Sequence, residues 1–196
     1  MSWRTRSRSA RALLTATIAL TAVLSGCSGM TSPPAPPEQA SELGLGSVGA
    51  DARAVIDRLD ATRLEDRPEG VVASVRPGEL VVQDAAGERS LPMPADLFYL
   101  SVAPYIDGTH ECYFHSLTTC LGELRNTDVE ISVVDAATGE TVMSQSTRTF
   151  DNGFVGLWLP AGIDAVLTIT AEGRSATAEI STHADDPTCL TTLQLA

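Results

Sequence analysis

The feature that most limits the fold is the regular spacing of short apolar stretches and turn residues in the second half of the chain. Val129, Ile131 and Val133 alternate with polar residues, as in a strand with one buried face. Turn-forming Gly, Asn and Pro residues then recur about every 10–12 residues, a spacing typical of antiparallel sandwiches. The pattern predicts a β-rich, sandwich-like C-terminal domain over residues 96–196.

The preceding segment, residues 44–95, has a different pattern. One apolar helix face is formed by residues at i, i+3, i+4 and i+7, namely Ala52, Val55, Ile56 and Leu59, and predicts a helix from Ser47 to Leu64. Strands at 71–75 and 80–83 and a short one ending near Pro92 complete a small meander. This region is too small to be stable alone, so we expect it to pack on the next domain or on a second copy. The predicted class is therefore α+β.

The N-terminus predicts an export signal. Residues 1–11 are basic and residues 12–24 form an apolar stretch too short to span a membrane but of the size found in signal peptides. Leu24-Ser25-Gly26-Cys27 follows and resembles a bacterial lipobox; a plain secretory signal with an incidental cysteine is the alternative. We expect a signal peptide over 1–26, lipid on Cys27, and anchoring to the outer face of the bacterial cytoplasmic membrane. The proline-rich segment 27–43 predicts an extended, lipid-anchored linker.

The charge balance excludes one class of partner. The chain has 13 arginines and no lysine, and without residues 1–26 nine arginines stand against 25 acidic residues, a net charge of −16. Nucleic acids require clustered cations, so no nucleic-acid partner is expected. An acidic surface suits metal cations or a protein with a basic face.

Cysteine and histidine concentrate in one short segment. The spacing Cys-x2-His-x4-Cys places His115 between Cys112 and Cys120, and a third thiol, Cys189, lies on the predicted last strand, Cys189 to Leu195. Thiolate and imidazole together suit Cu(I) and Zn(II). If the last strand lies beside the 110–120 loop, all four residues form one metal site. His110 is a candidate outer ligand or a hydrogen-bond partner of a ligand.

Other interpretations of these residues stay open at this point. The Cys112–Cys120 pair also fits a structural disulfide, which would stabilise the fold by a few kcal/mol. A Cys-His nucleophile is the least supported option, because no acid, amide or oxyanion signature accompanies it. With Cys27 lipidated, the odd number of thiols permits one disulfide with one free thiol. We expect His183 to be a solvated loop residue, and Phe154 and Trp158 to belong to the core.

Several uncommon strings together resemble the CueP family of periplasmic copper-binding proteins. They are Phe98 to Ile106, the Thr-His-x-Cys-x-x-His-Ser motif at 109–116, Cys120-Leu121-Gly122-Glu123, Asn152 to Pro160, and Thr188 to Leu195. The resemblance implies a cell-envelope protein that sequesters copper, reduces Cu(II) to Cu(I) and supplies copper to a periplasmic superoxide dismutase. It maps the family's three functional cysteines onto Cys112, Cys120 and Cys189.

The resemblance also implies a homodimer joined through the N-terminal region, here residues 44–95. The lipobox and the linker depart from the family pattern and put the dismutase partner in doubt. The leading hypothesis is an extracytoplasmic copper-binding lipoprotein, not a dedicated enzyme, that holds Cu(I) at the three cysteines and His115 and whose thiols could also reduce Cu(II). The alternatives are a thiol–disulfide oxidoreductase or isomerase, and a non-catalytic sandwich module with a structural disulfide or zinc.

Overall fold

A computed structural model of the protein describes residues 51–196. Among these residues a single helix, α1 (Ala52–Asp60), and a 3-10 turn (Leu64–Asp66) precede ten strands. The strands are β1 (Val72–Val75), β2 (Glu79–Asp84), β3 (Gly87–Pro92), β4 (Leu97–Val102), β5 (Asp128–Asp135), β6 (Thr141–Arg148), β7 (Val155–Pro160), β8 (Asp164–Ala171), β9 (Arg174–Ser181) and β10 (Cys189–Leu190). They form three sheets, ordered β1-β2-β3, β10-β4-β7 and β6-β5-β8-β9. The described chain is mostly β with one small helix, consistent with the predicted α+β class.

Helix α1 is shorter than its sequence pattern predicts. Its N-terminus is capped by Asp51, whose side chain accepts a hydrogen bond from the backbone N–H of Arg53 at 3.0 Å, as is usual for an N-cap carboxylate. The helix ends at Asp60 rather than Leu64, because the N–H of Thr62 bonds the carbonyl of Leu59 at 3.2 Å and tightens the last turn. The predicted start at Ser47 lies outside the described residues.

The N-terminal sheet and α1 share a core with the rest of the chain. The apolar face of α1 packs with the buried residues of β1 and β2, and Tyr99 and Leu117 belong to the same cluster. Of the two arrangements expected for this region, packing on the following domain is therefore present.

The two remaining sheets contribute alternate residues to a second core. Val129, Ile131 and Val133 of β5 are buried together with Phe98 and the apolar residues of β7 and β8. Strand β4 is covered on both faces, since Phe98 lies in this core and Tyr99 in the N-terminal one. Burial on both faces explains why β4 is a continuous apolar run rather than an alternating one.

The C-terminal strand is also shorter than predicted. Only Cys189 and Leu190 pair with β4, in parallel, and a single bridge joins Gln194 to Tyr105 further on. The prediction of one strand from Cys189 to Leu195 is wrong because the chain leaves the sheet after Leu190, where the carbonyl of Thr191 accepts a hydrogen bond from the Thr109 hydroxyl.

The predicted signal peptide (1–26), the linker (27–43) and Cys27 lie outside the described residues. Among residues 51–196 no helix is both long and apolar enough to cross a membrane.

Candidate metal centre

The loop between β4 and β5 carries three of the four predicted ligands and is held on the free edge of β1. The N–H of Val75 donates to the carbonyl of His115 at 2.8 Å, and the N–H of Leu117 donates to the carbonyl of Ala73 at 2.9 Å. The loop thus adds a short antiparallel partner to the N-terminal sheet. This pairing fixes the backbone on both sides of Ser116, directly after His115.

Two charged side chains, Arg67 and Glu123, form hydrogen bonds with the backbone of the loop. The guanidinium of Arg67 donates to the carbonyls of Thr118 and Cys120, both at 3.1 Å. The Oε2 atom of Glu123 accepts hydrogen bonds from the backbone N–H groups of residues 106–108, all within 3.1 Å. These bonds lower the pKa of Glu123, so the carboxylate stays ionised. The ionised carboxylate holds the backbone of residues 106–108, at the start of the loop.

The C-terminal segment brings the third cysteine to the loop. The hydroxyl of Thr188 donates to the carbonyl of Val75 at 2.6 Å and accepts from the N–H of His115 at 3.0 Å. The N–H of Cys189 donates to the carbonyl of Tyr113 at 3.1 Å. The juxtaposition of the last strand and the 110–120 loop, which the site requires, is therefore present.

Three sulfur atoms meet at this point. Cys112 and Cys189 form a disulfide with a Cα–Cα distance of 5.6 Å, and Cys120 is a free thiol whose Sγ lies 3.7 Å from Sγ of Cys112. The Cys112–Cys120 disulfide that the spacing permitted is not the one formed, because β10 places Cys189 against Cys112. The Sγ atom of Cys120 instead accepts the N–H of Ser116 at 3.3 Å.

His115 is fully buried beside the sulfurs. Its Nδ1 atom lies 3.8 Å from Sγ of Cys189, and its Nε2 atom lies 3.2 Å from Oδ1 of Asp60. The ring of Phe154 packs against the imidazole with centroids 4.6 Å apart. One ring nitrogen thus faces the sulfurs and the other faces a carboxylate.

Asp60 is the residue at this site that sequence reasoning missed. Its carboxylate is buried and accepts hydrogen bonds from the Tyr99 hydroxyl and, at 2.8 Å, from the amide of Asn152. A buried charge is tolerated only with such partners. The available signal was its position four residues after Ile56, which puts a carboxylate on the apolar stripe of α1.

The buried groups change one another's proton affinity. Burial alone would lower the pKa of His115, but hydrogen bonds to Asp60 and Cys120 and the charge of Asp60 raise it to about 9. Burial likewise opposes ionisation of Cys120, but the hydrogen bond and the charge of His115 lower the pKa of that thiol. The pKa of Asp60 is lowered because His115, Tyr99 and Asn152 together outweigh the effect of burial. The positive charge of protonated His115 therefore favours ionisation of both neighbours, the Asp60 carboxyl and the Cys120 thiol.

Two overlapping groups of donor atoms have the geometry of metal sites. One consists of His115, Cys120 and Cys189, and the other of His110, Cys112 and Cys120; within each group the ligand atoms lie within 4.8 Å of one another. Sulfur and imidazole donors suit Cu(I). The disulfide sulfurs become thiolate ligands only after reduction.

The remaining residues singled out in the sequence occupy different surroundings. Phe154 is completely buried, whereas Trp158 is only partly buried and donates from Nε1 to Asp57 at 2.7 Å. His183 is an exposed loop residue 3.2 Å from the carboxylate of Asp164, as expected.

Comparison with known proteins gives this centre a family context. The model of a family described as "Periplasmic copper-binding protein CueP" matches residues 54–194. The chain belongs to the CueP family. A solved structure titled "Crystal Structure of S.CueP" is similar, with 35% sequence identity and a TM-score of 0.73 over 83% of this chain and 99% of that chain. No curated protein matched the sequence.

The CueP family description names copper and the periplasm, which agrees with the copper-binding and export expectations. It names no zinc, so zinc at this centre stays a prediction.

Proposed function

We propose that this CueP-family protein binds Cu(I) outside the cytoplasm through Cys112, Cys120, Cys189 and His115. The observation that carries the proposal is the convergence of three sulfurs and one buried imidazole from separate segments of the chain, with the Cys112–Cys189 bond, a 3.7 Å sulfur–sulfur approach and a 3.8 Å sulfur–nitrogen approach. The soft donor set suits the low coordination numbers of Cu(I). The net charge of −16 outside residues 1–26 would raise the local concentration of copper ions.

The same thiols are proposed to reduce Cu(II). Oxidation of two thiols to one disulfide releases two electrons and two protons, which converts two Cu(II) ions to two Cu(I) ions. The Cys112–Cys189 disulfide is the product that this reaction would leave, and Cys120 with His115 would remain as donors for one ion. An external dithiol would restore the reduced centre by thiol–disulfide exchange, becoming a disulfide itself.

The location and partners are proposed from the sequence and the family. Lipid on Cys27 would hold the protein at the outer face of the cytoplasmic membrane, with residues 27–43 as the tether. A homodimer formed through residues 44–95 and a copper-requiring envelope enzyme, such as superoxide dismutase, as recipient follow from the family resemblance. A Cys27→Ala variant should leave the membrane fraction, whereas an unchanged distribution would remove the lipid anchor from the proposal.

Copper competition tests the central proposal. Anaerobically reduced protein should take about one Cu(I) per chain from a coloured Cu(I) chelator. Separate Ser variants of Cys112, Cys120 and Cys189 should each bind more weakly. Equal binding by all three variants and the parent would refute the site assignment.

A second function is favoured by the position of Cys120. Its thiol lies 3.7 Å from a sulfur of the Cys112–Cys189 disulfide and has a lowered pKa because burial is outweighed by His115, which are conditions that promote thiol–disulfide exchange. An oxidoreductase or isomerase would accelerate refolding of a protein with scrambled disulfides beyond the rate with free dithiol. A rate equal to that of free dithiol would exclude this function.

A further inference from the structure

The two donor groups at the centre share a single residue. Cys120 belongs both to the group with His115 and Cys189 and to the group with His110 and Cys112. In the oxidised protein the Cys112–Cys189 disulfide joins the two groups. Reduction therefore creates two overlapping sets of three donors that share the Cys120 sulfur. We call them the outer set (His110, Cys112, Cys120) and the inner set (His115, Cys120, Cys189).

The two sets differ in their access to solvent. His110 of the outer set is exposed, and Cys112 and Cys120 are partly exposed. In the inner set His115 is 0% and Cys189 is 3% exposed. An ion from solvent thus finds three accessible donors in the outer set, whereas two of the three inner donors lie beneath the surface.

One aromatic side chain contacts both histidines. The ring of Phe154 lies 4.6 Å from the His115 ring and 6.3 Å from the His110 ring, measured between centroids. Phe154 is completely buried and forms an apolar cluster with Ala103 and Cys189, against which Cys112 and Cys120 pack. Phe154 therefore packs against the histidine of each set, and the sulfur atoms connect the two sets.

We propose that the outer set is an entry site for Cu(I), from which the ion moves to the inner set by ligand exchange around Cys120. This inference rests on the proposed function. The bonds from copper to Cys112 and Cys120 are kept, the bond to His110 breaks, and bonds to Cys189 and His115 form. Copper remains Cu(I), so no electron is transferred, and the incoming Cys189 thiol and the His115 imidazolium each release one proton to solvent as they bind.

The shared sulfur gives this route its chemical advantage. Cu(I) accepts two or three soft donors, so each exchange passes through a state in which at least the Cys120 thiolate is bound. The ion consequently never has to be released into solvent between the two sets. His110 then governs how fast copper arrives, whereas His115 governs how tightly it is held.

Rapid-mixing kinetics separate these two roles. The reduced full chain is mixed anaerobically with Cu(I)-bathocuproine disulfonate, and loss of the coloured complex reports both the uptake rate and the final partition. His110→Ala should slow uptake about tenfold, comparable to the smaller effects of altering residues around a metal site, and leave the final partition unchanged. His115→Ala should shift the final partition toward the chelator.

The matched control is His183→Ala, which removes another exposed histidine outside both sets and should change neither quantity. If His110→Ala takes up copper as fast as the parent protein, the entry role is overturned. A loss of equilibrium affinity in His110→Ala equal to that in His115→Ala would overturn it as well, since His110 would then be a permanent ligand.

A Cys189→Ser variant examines the outer set directly. It keeps all three outer donors and should still bind Cu(I), and adding His110→Ala to it should weaken that binding about tenfold. If His110→Ala has no effect in this background, the outer set is not a copper site. If the parent itself binds no Cu(I), the proposed function fails; if the parent binds and only the His110 effects are missing, the entry role alone fails.

Discussion

Oδ1 of Asp60 lies 3.2 Å from Nε2 of His115, and both side chains are completely excluded from solvent. The carboxylate comes from the end of α1 and the imidazole from the loop on the edge of β1, so the contact ties the N-terminal helix to the candidate centre. Because Nε2 is engaged, Nδ1 is the ring nitrogen that faces Cys189. A carboxylate behind a ligating histidine orients the ring and increases its basicity.

Replacing Asp60 by Asn should weaken copper binding through His115. The amide keeps the size of the side chain and one acceptor for the imidazole, but it removes the negative charge. We expect Cu(I) affinity to fall about tenfold, within the range known for partners of metal-ligating histidines. Competition with a Cu(I) chelator measures the change.

The controls for this substitution distinguish an indirect effect from general loosening of the fold. Asp57→Asn alters the same helix at a residue that contacts Trp158 and should leave affinity unchanged. In a His115→Ala background, Asp60→Asn should cause no further loss. Fully additive losses in the double variant would contradict a role through His115.

The thiol of Cys120 should be reactive at lower pH than an ordinary cysteine. Burial raises its pKa, but the hydrogen bond and the positive charge of His115 outweigh burial and lower it from the usual 9.0. The thiolate is the reactive form, so alkylation of oxidised protein by iodoacetamide should reach half its maximal rate below pH 9.0. Peptide mass analysis follows Cys120 itself.

The imidazole is responsible for this shift, so His115→Gln should move the midpoint to higher pH. His183→Gln, an exposed histidine away from the sulfurs, should leave it in place. An identical midpoint in the parent and in His115→Gln would show that the imidazole does not activate the thiol.

Reduction of the Cys112–Cys189 disulfide should lower the stability of metal-free protein. The bond closes a loop with a sequence separation of 77 residues, for which loop-closure entropy gives about 4 kcal/mol of stabilisation. Urea unfolding with and without a thiol reductant measures the difference. The urea midpoint of a Cys112→Ser/Cys189→Ser variant should not change when reductant is added. If reductant leaves the urea midpoint of the parent protein unchanged as well, the prediction is contradicted.

Gly156 should not tolerate a side chain, because it lies under the Tyr99 ring. A Cβ atom at Gly156 would come within 2.5 Å of Cζ of Tyr99, so Gly156→Ala must displace the ring and its hydrogen bond to Asp60. Overpacking of this kind costs about 1–3 kcal/mol, measured by urea unfolding. Gly78→Ala, where nothing lies within 4 Å of the added atom, is the matched control; equal stability of both variants would show that Tyr99 has room to move.

Local patterns predict most of the elements and the sulfur chemistry. The strands from β5 to β9 follow from alternation and turn residues, and the importance of Cys112, His115, Cys120 and Cys189 follows from ligand chemistry and from the family resemblance. Their positions in the chain could not predict which two sulfurs bond, because that depends on where β10 joins β4.

The contribution of Asp60 and Tyr99 could not be read from local pattern alone. The sequence pattern places Asp60 four residues after Ile56, on the apolar stripe of α1, but it does not identify Tyr99 as its partner. Their hydrogen bond forms only because β4 is covered on its second face by the N-terminal helix and sheet. Contacts of this kind arise between elements distant in sequence, and no period of 2 or 3.6 residues encodes them.

The pairing of β10 with β4 has a consequence for the order of events during biogenesis. The candidate centre draws on positions from Asp60 to Cys189, so a chain that crosses a membrane unfolded and N-terminus first carries no assembled centre while it is in transit. Metal loading must then follow complete translocation and folding, which leaves the choice of ion to the compartment where the protein arrives rather than to the one where it is synthesised.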